Sequence, residues 1–224
     1  MKRIISILLL TYPILVFTGC GHISTYQSPK ILNQGEKLWG TGISINTNKE
    51  FPIGLLSDLS IYTRYGLSDR AERGFKISFS LPFLLTSYHY KYLLLQTAPV
   101  KSMKKPLLVS GDLGLSIGNS TGGTPAVGLH PTLLFGREDF FGGVSTNIIY
   151  PFSRGPRGRN SLIILSSRIF SGASMGNDKW KFNPEISYDF FPYSGETVTI
   201  FHGQTTLPKG MIVVGFSIQR IFGE

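Results

Sequence analysis

Two neighbouring stretches, residues 58–67 and 74–81, alternate apolar and polar side chains with a period of two. The apolar set is Leu59, Ile61, Thr63, Tyr65 and Leu67 in the first stretch and Phe75, Ile77, Phe79 and Leu81 in the second. Successive side chains of a β-strand point to opposite faces, so this period predicts two strands, each with one apolar and one polar face. The polar residues 68–73 between them predict the turn of a hairpin.

The same alternation recurs as far as the C-terminus and predicts about ten strands of about ten residues, the length that crosses a bilayer at a tilt. The remaining predicted strands are 38–46, 88–94, 107–117, 126–136, 140–150, 162–170, 180–190 and 212–222. The stretch 162–170 alternates least, because it begins with four consecutive apolar residues. We therefore predict an all-β fold, an antiparallel up-and-down transmembrane β-barrel over residues 38–224.

Alternation alone does not separate this barrel from a soluble sandwich, which also has one apolar face per strand. Soluble strands average about five or six residues, shorter than these. Glycines recur on the polar faces, which suits a narrow barrel interior but weakens a water-facing strand. Aromatic residues lie at or near strand ends on the apolar face, where a bilayer has its interfaces. They are Tyr65, Tyr88, Tyr150, Trp180 and Phe222.

Two prolines within predicted strands argue the other way. Pro131 and Pro184 each remove a donor from the strand ladder, so each needs a bulge or a strand boundary. A soluble, lipid-anchored β-barrel or sandwich therefore stays the alternative fold.

Residues 1–19 have the organisation of a secretory signal peptide. Lys2 and Arg3 form a charged start, and residues 4–17 form an apolar core that is too short to span a membrane as a helix. Gly19 provides the small residue at the end of the segment.

The four residues 17–20, Phe-Thr-Gly-Cys, resemble the bacterial lipobox. The resemblance implies that Cys20, the one cysteine of the chain, carries a lipid such as palmitate and becomes the mature N-terminus. It also implies sorting to the outer membrane by the lipoprotein machinery, because Gly21 rather than Asp follows the cysteine. An ordinary signal peptide that contains a cysteine is the alternative. Residues 20–37 are then a periplasmic tether, for which we expect a disordered linker.

Residues 65–70 (YGLSDR), residues 183–185 (NPE) and the aromatic-ended last strand are similar to segments of small bacterial outer-membrane β-barrel proteins. The resemblance covers most of residues 38–224. It implies a Gram-negative outer membrane, contact with its lipid and lipopolysaccharide, and insertion by the barrel-assembly machinery. With a periplasmic N-terminus, the turns 68–73 and 137–139 face the periplasm and the loops 47–54, 151–160 and 192–209 face outside.

Charged residues of both signs lie on the polar faces of the strands. They are Arg64, Lys76, Lys91, Asp112, Lys181, Glu185 and Asp189, with His89 and His130 on the same faces. Buried charges need partners, so we expect an ion-pair network that largely plugs the lumen of a structural or surface-exposed barrel. A small hydrophilic pore lined by the same groups is the alternative.

Other functions have weaker support in the sequence. A lipid-modifying hydrolase would need a serine and an orienting carboxylate beside His89 or His130, and no spacing specifies them. The four histidines lack metal-ligand spacing, and no Gly-rich loop opens a helix, so we predict no metal and no cofactor. The formal charge of +9 is spread along the chain without a basic, aromatic-rich block, which disfavours nucleic acid.

One loop carries three arginines, Arg154, Arg157 and Arg159. They could bind lipopolysaccharide phosphates or another polyanion at the cell surface. A solvated loop is the alternative.

Overall fold

The computed structural model shows a β-protein. It describes residues 26–46, 56–80, 83–98, 105–120, 123–152, 164–190, 197–200, 203–206 and 210–223. Within these ranges no helix is long and apolar enough to cross a membrane.

Thirteen strands are formed in the described part of the chain. They are β1 (Lys37–Asn46), β2 (Leu56–Ser68), β3 (Ala71–Ser80), β4 (Phe83–Gln96), β5 (Leu108–Ser120), β6 (Pro125–Gly136), β7 (Phe140–Pro151), β8 (Ile164–Ala173), β9 (Met175–Gly176), β10 (Trp180–Phe190), β11 (Thr197–Ile200), β12 (Gly203–Thr206) and β13 (Gly210–Phe222).

The main sheet closes on itself. Each strand from β1 to β8 pairs antiparallel with the next, β10 follows β8, and β13 pairs with both β10 and β1. Strand β9 continues β8 in the same register against β10. The prediction of an antiparallel barrel of about ten strands is therefore confirmed, with β8 and β9 counted as one strand. Strands β11 and β12 form a separate hairpin within the predicted loop 192–209.

The two faces of the barrel differ in polarity as the alternation predicts. Apolar side chains such as Ile77, Leu115 and Phe216 point outward and are exposed, whereas Lys76, Ser116 and Ser217 beside them are buried inside. A soluble protein rarely exposes so continuous an apolar surface. This distribution is typical of a barrel that crosses a lipid bilayer. Among the aromatic residues expected near strand ends, Tyr88 lies well inside β4 instead.

Neither proline coincides with the bulge or strand boundary that the sequence predicts, since Pro131 lies within β6 and Pro184 within β10. Pro131 faces Leu113 on β5, and one register with β7 continues on both sides of it. Pro184 pairs with Phe216 in an unbroken register with β13. On the opposite edge of β10, residues 185–190 pair with β8 and residues 181–182 pair with β9, and Pro184 lies between these two groups. Its missing N–H explains this gap. The register shifts lie at Ser44/Ile45, Gly66/Ser68 and Leu93/Leu95.

Three segments differ from the sequence-based boundaries. The predicted turn 68–73 is shorter, because β3 begins at Ala71 and takes Glu72 inside the barrel. Strand β4 begins at Phe83, earlier than predicted. Strand β8 extends to Ala173, and the start of the predicted stretch 162–170 lies outside the described residues.

One end of the barrel carries the start of β1 and the end of β13. Short turns at residues 69–70, 137–139 and 177–179 lie at this end, together with the longer connection 97–107. The three long predicted loops, 47–54, 151–160 and 192–209, connect strands at the opposite end, together with the short connections 81–82 and 121–124. Short turns and long loops mark the periplasmic and outer ends of such barrels, so we call the first the turn end and the second the loop end.

Candidate functional site

The lumen holds a row of charges that the strand register brings together. Glu72 on β3 faces Lys91 on β4, and Lys91 faces Asp112 on β5. Lys91 Nζ lies 3.3 Å from Glu72 Oε1. Arg64 on β2 bridges the row, 2.8 Å from Glu72 and 3.4 Å from Asp112, and His89 Nδ1 lies 3.0 Å from Asp112. All five side chains are buried, so each charge is held by an opposite one, as a low-dielectric interior requires.

A second group of charges lies across β8 and β10. Arg168 faces Asp189 in the register, with 2.8 Å between Nε and Oδ1. Its Nη1 lies 3.9 Å from Glu185 Oε1. Elsewhere in the lumen, Lys76 Nζ lies 3.7 Å from Asp58 Oδ2. The sequence pattern predicts Glu185 and Asp189 inside the barrel but does not reveal their common partner, Arg168, because the predicted strand around Arg168 alternates poorly.

Residues 26–36 precede β1 at the turn end, and we call them the N-terminal segment; most of residues 26–32 are buried inside the barrel, whereas residues 33–35 are exposed. This differs from the disordered linker expected for the tether 20–37. Tyr26 is 0% exposed, and Gln27, Ile31 and Leu32 are also buried. Only the first part of the expected tether, including Cys20, lies outside the described residues.

The lumen charges hold this segment by its main chain. Tyr26 N donates to Glu185 Oε2 (3.0 Å), and Leu32 N donates to Glu72 Oε2 (2.9 Å). Lys91 Nζ donates to the carbonyl oxygens of Ser28 (2.8 Å) and Lys30 (2.6 Å). These contacts satisfy buried main-chain groups, which are costly when unpaired. The same charges therefore pair with each other and fix the segment.

Three side chains of the segment, those of Tyr26, Ile31 and Leu32, pack against the inner wall of the barrel. Tyr26 lies over two glycines, Gly42 and Gly215, with Lys76 Nζ 5.5 Å from its ring centre. A Cβ at Gly215 would come within 2.9 Å of the Tyr26 ring, so glycine is needed there for the close approach. Leu32 packs with Leu38 and Tyr62, and Ile31 packs with Leu93 and Leu108.

Gln219 on β13 fixes the start of the described segment. Its Nε2 donates to Tyr26 O over 2.7 Å and to Tyr62 Oη over 2.8 Å. A cavity of about 200 Å³ lies between the segment and the wall, lined by Lys30, Arg64, Lys91 and Gln219 among others.

Glu138 ties the segment to the rim of the turn end. Its Oε1 lies 2.9 Å from Lys30 Nζ of the segment and 3.3 Å from Lys181 Nζ on β10. Burial alone would raise the pKa of Glu138, but the hydrogen bond and charge of Lys30, together with Lys181, hold that pKa below its ordinary value. Lys181, expected in the lumen network, instead belongs to this rim cluster.

Apolar side chains fill the lumen towards the loop end. Phe83, Leu85, Ala126 and Ile149 form one buried cluster, and Met211 and Val213 form another. Leu85 and Ile149 are completely buried. The described lumen is thus narrowed by apolar side chains at one end and by the N-terminal segment at the other.

His130 lies between a serine and an asparagine inside the barrel. Its Nε2 is 2.7 Å from Ser116 Oγ, and its Nδ1 is 3.1 Å from Asn147 Oδ1. With Asn147 Oδ1 as acceptor, Nδ1 carries the proton and Nε2 accepts from Ser116. This connectivity is that of a nucleophile, a base and an orienting group. His130 is a candidate from the sequence, whereas Ser116 and Asn147 become its neighbours only through the register of the barrel.

Four of the predicted site residues cannot be placed in the barrel, because they are not among the residues that the structure describes. Cys20 and the three arginines Arg154, Arg157 and Arg159 are outside the described residues. Across the described ranges, no three His, Cys, Asp or Glu side chains are placed to hold a metal ion. Three lumen charges, Asp58, Glu72 and Arg168, are absent from the set predicted from the sequence. The alternation itself could identify two of them, because Asp58 is two residues before Ser60 and Glu72 is four residues before Lys76, on the same faces of their strands.

Comparison with known proteins gives resemblance to solved structures only. No protein-family model matches the sequence, and no curated protein sequence matches it. The chain is similar to the crystal structure of the N-terminal β-barrel domain of Pseudomonas aeruginosa OprF, with 11% identity and a TM-score of 0.35, over 85% of this chain and 100% of that one. It is also similar to the crystal structure of Pseudomonas aeruginosa OccK11 (OpdR), with 9% identity and a TM-score of 0.31, over 81% of this chain and 63% of that one.

Proposed function

We propose that this protein is a closed β-barrel of the bacterial outer membrane that is also anchored by a lipid at Cys20. Its role is structural or surface-exposed, and it does not conduct solutes. The outward apolar face, the inward charges and the long loops at one end support the membrane assignment.

The observation that most directly supports a closed lumen is the burial of Tyr26 inside the barrel, at 0% exposure. Its main-chain N–H donates to Glu185, and its carbonyl oxygen accepts from Gln219 on the wall. A hydrated pore would leave such a segment loosely held, because water would compete for its hydrogen bonds. Here Glu72 and Lys91, which would line a pore, are engaged with the segment. This favours a plugged lumen over the alternative of a small hydrophilic pore.

The lipid anchor is compatible with this plug. Cys20 precedes Tyr26 by six residues, a stretch that spans at most about 20 Å when fully extended. A lipid on Cys20 would thus lie close to the barrel, and the two membrane attachments would act together. Lipoprotein-sorting and barrel-assembly machinery are the partners that this arrangement implies.

Electrical recording tests the closed lumen. The full chain, reconstituted in a planar bilayer, should give no stable conductance steps at moderate voltage. A Tyr26→Gly/Lys91→Ala variant, which loses the ring and both carbonyl contacts, should show openings if it folds, as judged by heat-modifiable gel mobility. Stable steps from the unaltered protein would overturn the proposal of a closed lumen.

Fatty-acid labelling tests the anchor separately. Cells given a labelled fatty acid should label the protein but not its Cys20→Ser variant, and the labelled protein should fractionate with the outer membrane. Equal labelling of both proteins would contradict lipidation and leave the barrel assignment intact.

Hydrolysis is the second candidate function, favoured by the arrangement of Ser116, His130 and Asn147. Ser116 and His130 are each only 3% exposed and face the lumen, so an acyl substrate would have to enter the barrel. A fluorophosphonate probe should therefore fail to label the folded protein. Labelling that disappears in Ser116→Ala would establish the hydrolase in place of the structural role.

A further inference from the structure

Arg220 lies on the outer face of the barrel between the two tryptophans of the chain. Trp39 on β1 and Trp180 on β10 are its direct register partners. The Arg220 guanidinium carbon is 5.3 Å from the Trp180 ring centre and 4.8 Å from that of Phe222. Both tryptophans are about half exposed, at 49% and 47%. The cation is thus held over aromatic faces at the membrane-facing surface.

Two further cations continue this surface on the neighbouring strands. Lys37 on β1 and Arg73 on β3 both face Tyr65 on β2 in the register. Lys37 Nζ lies 6.0 Å and the Arg73 guanidinium carbon 5.7 Å from the Tyr65 ring centre. Strands β10, β13, β1, β2 and β3 are consecutive around the barrel. We call this surface the basic–aromatic arc. It consists of the cations Lys37, Arg73 and Arg220 and the aromatic side chains Trp39, Tyr65, Trp180 and Phe222.

The cations of the arc differ from Lys105 and Arg137, at the same end of the barrel, in their acidic partners. Among the described residues, neither Lys37, Arg73 nor Arg220 forms an ion pair, whereas Lys105 and Arg137 lie 3.8 Å and 3.4 Å from Asp139. The arc also lies at the level where strands end, since Lys37 opens β1 and Arg220 is two residues from the end of β13. Aromatic and basic side chains at this depth meet lipid head groups.

We propose that the basic–aromatic arc binds the phosphate of an anionic phospholipid, such as phosphatidylglycerol, in the periplasmic leaflet. The proposal rests on the assignment of the barrel to a membrane. Three exposed positive charges, none of them paired with a described carboxylate, attract an anionic head group, and the aromatic rings pack against the glycerol and upper acyl chains. The turn end, which carries the arc, is the end assigned to the periplasm, so the ligand is a phospholipid rather than lipopolysaccharide.

The tryptophans make the site directly measurable, because both lie beside Arg220. The full chain is reconstituted in phosphatidylcholine vesicles that contain the same small fraction of either brominated phosphatidylglycerol or brominated phosphatidylcholine. Bromine quenches tryptophan on contact, so the quenching reports which lipid occupies the arc. We expect stronger quenching by the brominated phosphatidylglycerol, with an enrichment of about fivefold for each cation that contributes.

A matched pair of variants tests whether the arc is responsible. Lys37→Gln/Arg73→Gln/Arg220→Gln should equalise quenching by the two brominated lipids, whereas Lys105→Gln/Arg137→Gln, at the same end of the barrel, should keep the preference. Heat-modifiable mobility verifies that each variant is folded. Loss of the preference in both variants would show a general surface-charge effect and overturn the site.

Two results for the unaltered protein separate this inference from the proposed function. Equal quenching by both brominated lipids would overturn the anionic-lipid site while leaving the barrel in the bilayer. Absence of quenching by either lipid would mean that Trp39 and Trp180 do not face lipid, which would contradict the transmembrane assignment itself.

Discussion

The main-chain N–H of Tyr26 donates a 3.0 Å hydrogen bond to Glu185 Oε2, although 159 residues separate the two in sequence. Glu185 also lies 3.9 Å from Arg168 on the adjacent strand. The carboxylate therefore links the N-terminal segment to the charge network of the wall. Loosening either element would leave a buried charge without part of its compensation.

Replacement of Glu185 by alanine tests this link. Glu185→Ala leaves the Tyr26 N–H without its acceptor and weakens the surroundings of Arg168, so we expect it to lower the free energy of unfolding by about 3–5 kcal/mol. The measurement is the urea midpoint of the protein in lipid vesicles. Asp69→Ala, in the exposed turn between β2 and β3, is the control and should change stability by less than about 0.5 kcal/mol. Similar midpoints for the two variants would show that water, rather than the network, solvates Glu185.

The contact between Tyr26 and Gly42 predicts a coupled pair. A Cβ at Gly42 would overlap the Tyr26 ring, so Gly42→Ala should destabilise the protein by about 1–3 kcal/mol through overpacking. The same substitution in a Tyr26→Ala background should cost much less, because the obstructing ring is gone. Unfolding midpoints of the two single variants and the double variant give the coupling energy.

Gly111→Ala is the control for that cycle. Gly111 lies on the outer face of β5, where a Cβ would meet Leu94 Cδ1 at an ordinary 3.7 Å. It should therefore be nearly neutral in both backgrounds. Strictly additive effects of Gly42→Ala and Tyr26→Ala would mean that the ring does not occupy this place in the lumen.

Glu138 predicts a pH dependence at the rim of the barrel. Because Lys30 and Lys181 lower the pKa of this carboxyl in the folded protein, its contribution to stability is present above the ordinary pKa of glutamate and is lost as the pH falls through the lowered pKa. The contribution should be about 0.2–1 kcal/mol, since the cluster is partly exposed.

Unfolding midpoints at several pH values check the sign. The unaltered protein should exceed Glu138→Gln in stability above about pH 5, and the difference should shrink below about pH 4. A difference that grows on acidification would contradict the assigned direction.

The sequence predicts the barrel better than it predicts the contents of the lumen, and the reason is the range of the interactions. Alternation is a local signal, so the inward and outward faces of strands such as β2 and β13 can be predicted from their own residues. The burial of Glu72 is not evident from the sequence, because its polar neighbours have the composition of a turn. In the structure, its pairing with Lys91 makes it part of β3.

The N-terminal segment could not be recognised from its own residues. It has no periodicity, and its partners Glu72, Lys91, Glu185 and Gln219 become neighbours only after the barrel closes. The triplet around His130 has the same origin, since Ser116 and Asn147 come from the two flanking strands. From sequence alone, a segment of this kind is interpreted as a linker, because its hydrogen-bond partners are identified only in the closed barrel.

Two positions on the outer face of β13 test the membrane assignment, because they would lie at different depths in a bilayer. Phe216 lies midway between Gly210 and Phe222, and it is 41% exposed. Arginine on the lipid-facing surface costs about 2–4 kcal/mol at the midplane and about 0–1 kcal/mol near the interfaces. Phe216→Arg should therefore reduce folded, heat-modifiable protein in the outer-membrane fraction severely. Ile212→Arg, on the same face near the loop end, should have a mild effect. Equal losses at both positions would contradict the depth dependence expected of a bilayer, and protein that leaves the membrane folded, without detergent, once the lipid tether is cut would contradict the transmembrane assignment.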